Sequence, residues 1–157
     1  MKKRVAILIV SHSFLLVFGF ALGIYLLPIL TAPKAPDKNF IINESNKAVY
    51  KTEFIRDLDG SDLLHYGDGE VFLKKDKISF VGKLAPGPDY RLYLTKSFAQ
   101  NEEEFLKIKM DSLYVGDVKT FTNFTVSSKV NLPLENYNSL IVWCESFNEF
   151  ITSAKYK

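Results

Sequence analysis

Residues 5–30 contain no Asp, Glu, Lys or Arg, and this charge-free run constrains what every later residue can do. As helix, its 26 residues would extend roughly 39 Å at about 1.5 Å per residue. That length crosses a hydrocarbon core of about 30 Å with some tilt. Lys2, Lys3 and Arg4 precede the run, so the positive-inside rule predicts a cytoplasmic N-terminus and an extracytoplasmic remainder, periplasmic or on the cell surface. A cleaved signal peptide is the alternative. Its apolar region is normally about 7–15 residues and ends at an A-x-A-like site, whereas here Ala32 and Ala35 are each followed by proline. An uncleaved membrane anchor over residues 1–30 is the expectation. His12 reads as an interfacial residue, and Gly19 and Gly23 form a G-x-x-x-G step through which a second copy could approach to make a homodimer.

Composition changes sharply after the run. Pro33 and Pro36 lie in a polar stretch that predicts an extended linker over residues 31–46, leaving residues 47–157 as one domain. With Lys2, Lys3 and Arg4 set aside, 17 basic residues face 18 acidic ones. A near-neutral domain has no electrostatic footprint for nucleic acid.

The periodicity of this domain is two. Ile78 and Phe80 alternate with polar neighbours, as do Tyr90, Leu92 and Leu94, and Leu106, Ile108 and Met110; each set reads as a half-buried strand. Further strands are predicted at residues 48–55, 70–73, 113–118, 121–127, 139–147 and 149–153 between turn signals. Glu102, Glu103 and Glu104 read as a solvated loop, and one short helical turn is expected near residues 134–137. The fold class is all-β: an antiparallel β-sandwich or barrel-like domain preceded by one N-terminal transmembrane helix.

Cys144 is the only cysteine, so the exported domain has no internal disulfide. It follows Leu140-Ile141-Val142-Trp143, a run apolar on both faces that marks a central strand. Alternation places Ile141, Trp143, Glu145 and Phe147 on one face, and Val142, Cys144 and Ser146 on the other. Either Cys144 packs as a small hydrophobe or it carries chemistry through sulfur. No Lys, Arg or His occurs from residue 139 to 154, so a cation that would hold its thiolate must come from another strand.

Gly67-Asp68-Gly69-Glu70-Val71, Gly87-Pro88-Asp89-Tyr90-Arg91-Leu92-Tyr93-Leu94, Val115-Gly116-Asp117-Val118-Lys119 and Ile141-Val142-Trp143-Cys144-Glu145-Ser146-Phe147 together resemble the DM13 domain in order and spacing, over about 110 residues. Thr120-Phe121-Thr122-Asn123-Phe124 departs from that pattern. The resemblance implies an extracytoplasmic β domain whose central cysteine is proposed to serve electron transfer, as a bare thiol or as a haem ligand. Applied here, Cys144 becomes the redox candidate, with His65 or Met110 as a second haem ligand. No C-x-x-C-H is present, which excludes covalent c-type haem.

Two other constellations carry candidate sites. Gly87, Pro88 and Asp89 make a rigid turn that could also hold a ligand near Cys144. Asp57, Asp59 and Asp62 crowd carboxylates as a calcium ion requires, although the EF-hand order is not met. No G-x-S-x-G, H-E-x-x-H or Gly-rich phosphate loop occurs, and His65 is the only imidazole beyond residue 30, so the sequence leans away from an enzyme. The expected function is redox or electron transfer centred on Cys144 with a redox partner. The alternative is a non-catalytic ligand-binding or envelope-interaction module with a structural cysteine.

Overall fold

The computed structural model describes residues 2–157. Helix α1, Lys2–Thr31, is unbroken and none of its side chains is buried. It is long and apolar enough to cross a membrane. Toward its C-terminal end Ile24, Pro28 and Ala32 are partly covered, the four-residue spacing of one helix face. That face runs along one end of the β domain.

The linker is not extended throughout. Helix α2, Lys38–Ser45, begins where the Asp37 carboxylate accepts the Phe40 N–H at 2.9 Å, an N-cap directly after Pro36 that ends the proline-restrained stretch. Ile41 buries against Phe72 and Val81. Glu44 accepts Lys74 Nζ at 2.7 Å and Lys47 Nζ at 3.1 Å, and those two ammonium groups hold its carboxyl down at about 2.

Eight strands follow: β1 Tyr50–Phe54, β2 Gly67–Leu73, β3 Lys77–Leu84, β4 Tyr90–Thr95, β5 Leu113–Val118, β6 Asn123–Ser127, β7 Ser139–Cys144 and β8 Glu149–Lys155. They form two four-stranded antiparallel sheets, ordered β1-β2-β3-β6 and β5-β4-β7-β8. Period-two alternation fills the space between them with Val71, Ile78, Phe80, Leu92, Leu94, Leu140 and Val142, among others. The expected sandwich is the observed one, with β7 central between β4 and β8. Within the first sheet β2 and β3 approach closely at Gly69, opposite Gly82, where a φ of +143° and the Val81 carbonyl leave no room for a Cβ. This is the backbone reason for the Gly67-Asp68-Gly69 motif.

Residues 102–111 correct the sequence reading. The acidic run and the Leu106, Ile108, Met110 alternation form helix α3, Glu102–Ile108, and a 3-10 turn, Lys109–Asp111. Asn101 caps α3 by accepting the Glu104 N–H at 3.0 Å, and Glu104 in return accepts the Gln100 N–H at 2.8 Å. Three carboxylates in the first turn favour the helix dipole, and Lys107 bridges Glu103 one turn on at 2.7 Å. Phe105 is the residue that buries, against Trp143 and Tyr93 on the outer face of the second sheet. Met110, expected on the apolar side of a half-buried strand, is 95% exposed. The helix and the strand readings predict different mutational costs. Phe105→Ala should destabilise by about 3–5 kcal/mol in urea unfolding, while Leu106→Ala and Met110→Ala should each stay within about 0.5 kcal/mol.

Candidate functional site: the Cys144 crevice

Cys144 ends β7 opposite Tyr90, the first residue of β4. Immediately beyond it the chain turns, so the sulfur lies at the rim of the sandwich. Its Sγ–H donates to the Pro88 carbonyl at 3.1 Å. The Gly87-Pro88-Asp89 turn is therefore wrapped on Cys144. Asp89 sits at φ +52°, its carbonyl accepts the Glu145 N–H at 3.1 Å, and its carboxylate accepts the Ser146 hydroxyl at 3.0 Å. A Cβ at Gly87 would strike the Tyr90 hydroxyl. The turn and the β7–β8 connection thus clasp each other around the thiol.

Cys144 is 2% exposed, yet it lines a crevice of about 350 Å³, at the small end of ligand-sized cavities. Tyr90, His65, Phe147 and, from α1, Ile24 and Tyr25 line it too. His65 is held by Asp62: Nδ1 lies 3.0 Å from one carboxylate oxygen, and the other oxygen accepts the Leu64 and His65 N–H groups. The His65 contact and these amides keep the Asp62 carboxyl below its usual range.

The electrostatics favour a protonated sulfur. Burial pushes the Cys144 thiol up; the Phe147 amide and, more weakly, the Ser146 amide pull it down, while the carboxylates of Asp89 and Glu149 add to the rise, and the net shift is upward. Among the described residues no Lys or Arg from another strand acts on the sulfur to hold a thiolate. Tyr90 is raised as well, by burial first and then by Cys144.

The other candidate residues separate. Met110 lies on the exposed surface beyond α3 and does not line the crevice. A thiolate-ligated haem does not fit the donor chemistry seen here: the Sγ–H already donates to the Pro88 carbonyl, burial disfavours the thiolate, and the charges that act on the sulfur are the carboxylates of Asp89 and Glu149. No step is derived through haem. Among the described residues no group of three His, Cys, Asp or Glu side chains comes together as a metal site, and the carboxylates of Asp57, Asp59 and Asp62 do not form one. Asp57 and Asp59 stay apart from Asp62, whose carboxylate is occupied in ordering the His65 loop. Gly19 and Gly23 have open space on their Cβ side.

One cluster was not legible in the sequence. On the outer face of the second sheet, Glu145 accepts Lys109 Nζ at 2.8 Å and the Tyr93 hydroxyl, and Lys109 lies 5.1 Å from the Trp143 ring. Burial raises Glu145, but these two bonds outweigh it and leave the carboxyl lowered. Tyr93 is pushed up to about 12 by burial and by Glu145. Cys144 and Trp143 are thus adjacent in sequence and separated by the sheet.

A protein-family model described as Electron transfer DM13 matches residues 60–156. The chain belongs to the DM13 family. No curated protein and no solved structure matches it. Within the DM13 domain the matched span begins in the His65 loop and ends one residue past β8, so it contains His65, the Pro88 turn and Cys144 together.

Because the folded thiol binds its proton more tightly than the unfolded one, its contribution to stability is complete below the unfolded value, about 8.5, and is lost as pH rises through the folded value. Alkylation of native Cys144 should accordingly be slower at pH 7 than that of a free cysteine and climb steeply above pH ~9. A pH series of maleimide labelling read by mass spectrometry checks this; a rate already saturated at pH 7 would contradict a protonated thiol.

Proposed function

We propose that this protein is a membrane-anchored, extracytoplasmic DM13 domain whose redox group is the thiol of Cys144. The observation that carries the reading is the opening of the crevice onto the chain's single sulfur, inside a family described by electron transfer. With one cysteine, the balanced step is exchange with a partner. Cys144 Sγ bonds to one sulfur of a partner disulfide, the partner S–S bond breaks, and its other sulfur leaves as a thiolate that takes up the proton given up by Cys144. The partner disulfide is reduced and Cys144 is oxidised to the mixed disulfide. An oxidising, extracytoplasmic location supports such a couple. The Sγ–H bond to Pro88 and the raised pKa make the exchange slow unless the Gly87–Asp89 turn opens.

That same hydrogen bond favours a second reading, a non-catalytic ligand-binding or envelope-interaction module in which Cys144 is structural. The two are separated by incubating the full-length protein, in mild detergent, with a small aromatic disulfide from pH 7 to 9.5. The redox reading expects one adduct on the native protein, faster with rising pH, reversed by dithiothreitol and absent in Cys144→Ala. An adduct that forms only under denaturing conditions, with Cys144→Ser still natively folded, would leave the binding module as the function.

A further inference from the structure

We infer that the end of the sandwich carrying the Cys144 crevice rests on the outer leaflet of the bilayer that holds α1, with Leu63, Leu64 and Phe147 as its lipid-contacting residues. The inference rests on the membrane-anchored part of the reading above. The charge-free run is longer than a bilayer needs. About 20 helical residues span the hydrocarbon core, so a span starting at Val5 ends near Ile24 and Tyr25, where an aromatic ring suits the interface.

Both line the crevice beside Leu64 and Phe147, with Ala21 one helical turn below them. The part of α1 beyond them, with Leu27, Pro28 and Thr31, passes Tyr90 and Phe121 higher on the same end of the domain. A short polar linker then follows, and Pro36 accepts the Asn123 side-chain amide at 3.4 Å. The domain is therefore held against the emerging helix, and its lowest point lies at the level where the helix leaves lipid.

What the domain presents there is apolar. Leu63 is 91% exposed, Leu64 58% and Phe147 51%, large side chains from two loops with no cover in the fold. The charged side chains beside them are acidic, Asp62, which accepts the Leu64 N–H, and Glu149, which lines the same crevice, so contact depends on apolar insertion into the leaflet and not on attraction to anionic headgroups. The crevice mouth, lined by Leu64 and Phe147, then opens at the lipid boundary.

The test uses full-length protein in phosphatidylcholine vesicles with and without brominated acyl chains, which quench nearby indoles. Leu64→Trp, with Leu63→Trp as a second variant at the more exposed position, should lose about half its added emission or more in brominated lipid, unchanged by raised salt or added anionic lipid. Val130→Trp serves as control, because Val130 is 72% exposed in the loop bonded to the β2–β3 turn, at the opposite end of the sandwich; it should be unquenched, as should native Trp143. Equal, weak quenching at positions 63, 64 and 130, with the chain still membrane-bound after a carbonate wash, would overturn the docking and leave the anchor standing. A chain removed by the wash would overturn both. Loss of disulfide exchange at Cys144 without change in quenching would sink the redox reading alone.

Discussion

All six residues of β7 are buried, and the rest of the domain is arranged around satisfying both faces of that strand. Leu140, Val142 and Cys144 point into the space between the sheets, while Ile141 and Trp143 point outward. An outward row of that size in a two-sheet sandwich would be left in water. Helix α3 covers it, with the Phe105 ring 4.9 Å from that of Trp143. Burying the large side chains on both faces contributes on the order of 1.5–3 kcal/mol apiece, which is why β7 sits in the middle of its sheet. The strand stops at the one residue that is both small and polarizable, so the sulfur comes to the edge of the core without leaving it.

The two faces of β7 meet opposite electrostatic conditions within one residue. On the outer side, Lys109, Glu145 and Tyr93 form a closed set of charge-assisted bonds that ties the turn after Cys144 to the 3-10 segment after α3. On the inner side, the sulfur has a carbonyl acceptor and acidic neighbours. An exposed pair between Lys107 and Glu103 contributes little, whereas the Lys109–Glu145 pair is partly buried and fixes the start of the connection that lies over the crevice. Positive φ at Asp89 and at Asn148 gives the two clasping turns their tightness, a backbone conformation that non-glycine residues adopt only when their surroundings enforce it.

Much of this was legible in the chain because alternation reports directly on a half-buried strand. Leu113–Val118 coincides with its expected bounds, and the division of Val142 and Cys144 from Ile141 and Trp143 follows from period two alone. The reading failed where two periods compete. Leu106, Ile108 and Met110 satisfy a strand pattern by chance, while Asn101 and the three glutamates supply a helix start whose capping bonds decide the outcome. Asp37 after Pro36 carried the same signal for α2. Contacts across strands, such as Lys109 with Glu145 or Pro88 with Cys144, depend on register and on the path of loops, neither of which one sequence displays. The three aspartates looked like a cation site because proximity in sequence says nothing about where carboxylates point, and that of Asp62 is engaged with the His65 loop.

The stripe of Ile24, Pro28 and Ala32 along the outer end of α1 has a mechanical consequence. A domain on a loose tether swivels and samples every height its linker permits. A domain braced against the helix that carries it keeps one face down and one distance from the bilayer. In the anchored arrangement the thiol would patrol a single plane, meeting only those molecules whose own reactive group stands at the same altitude.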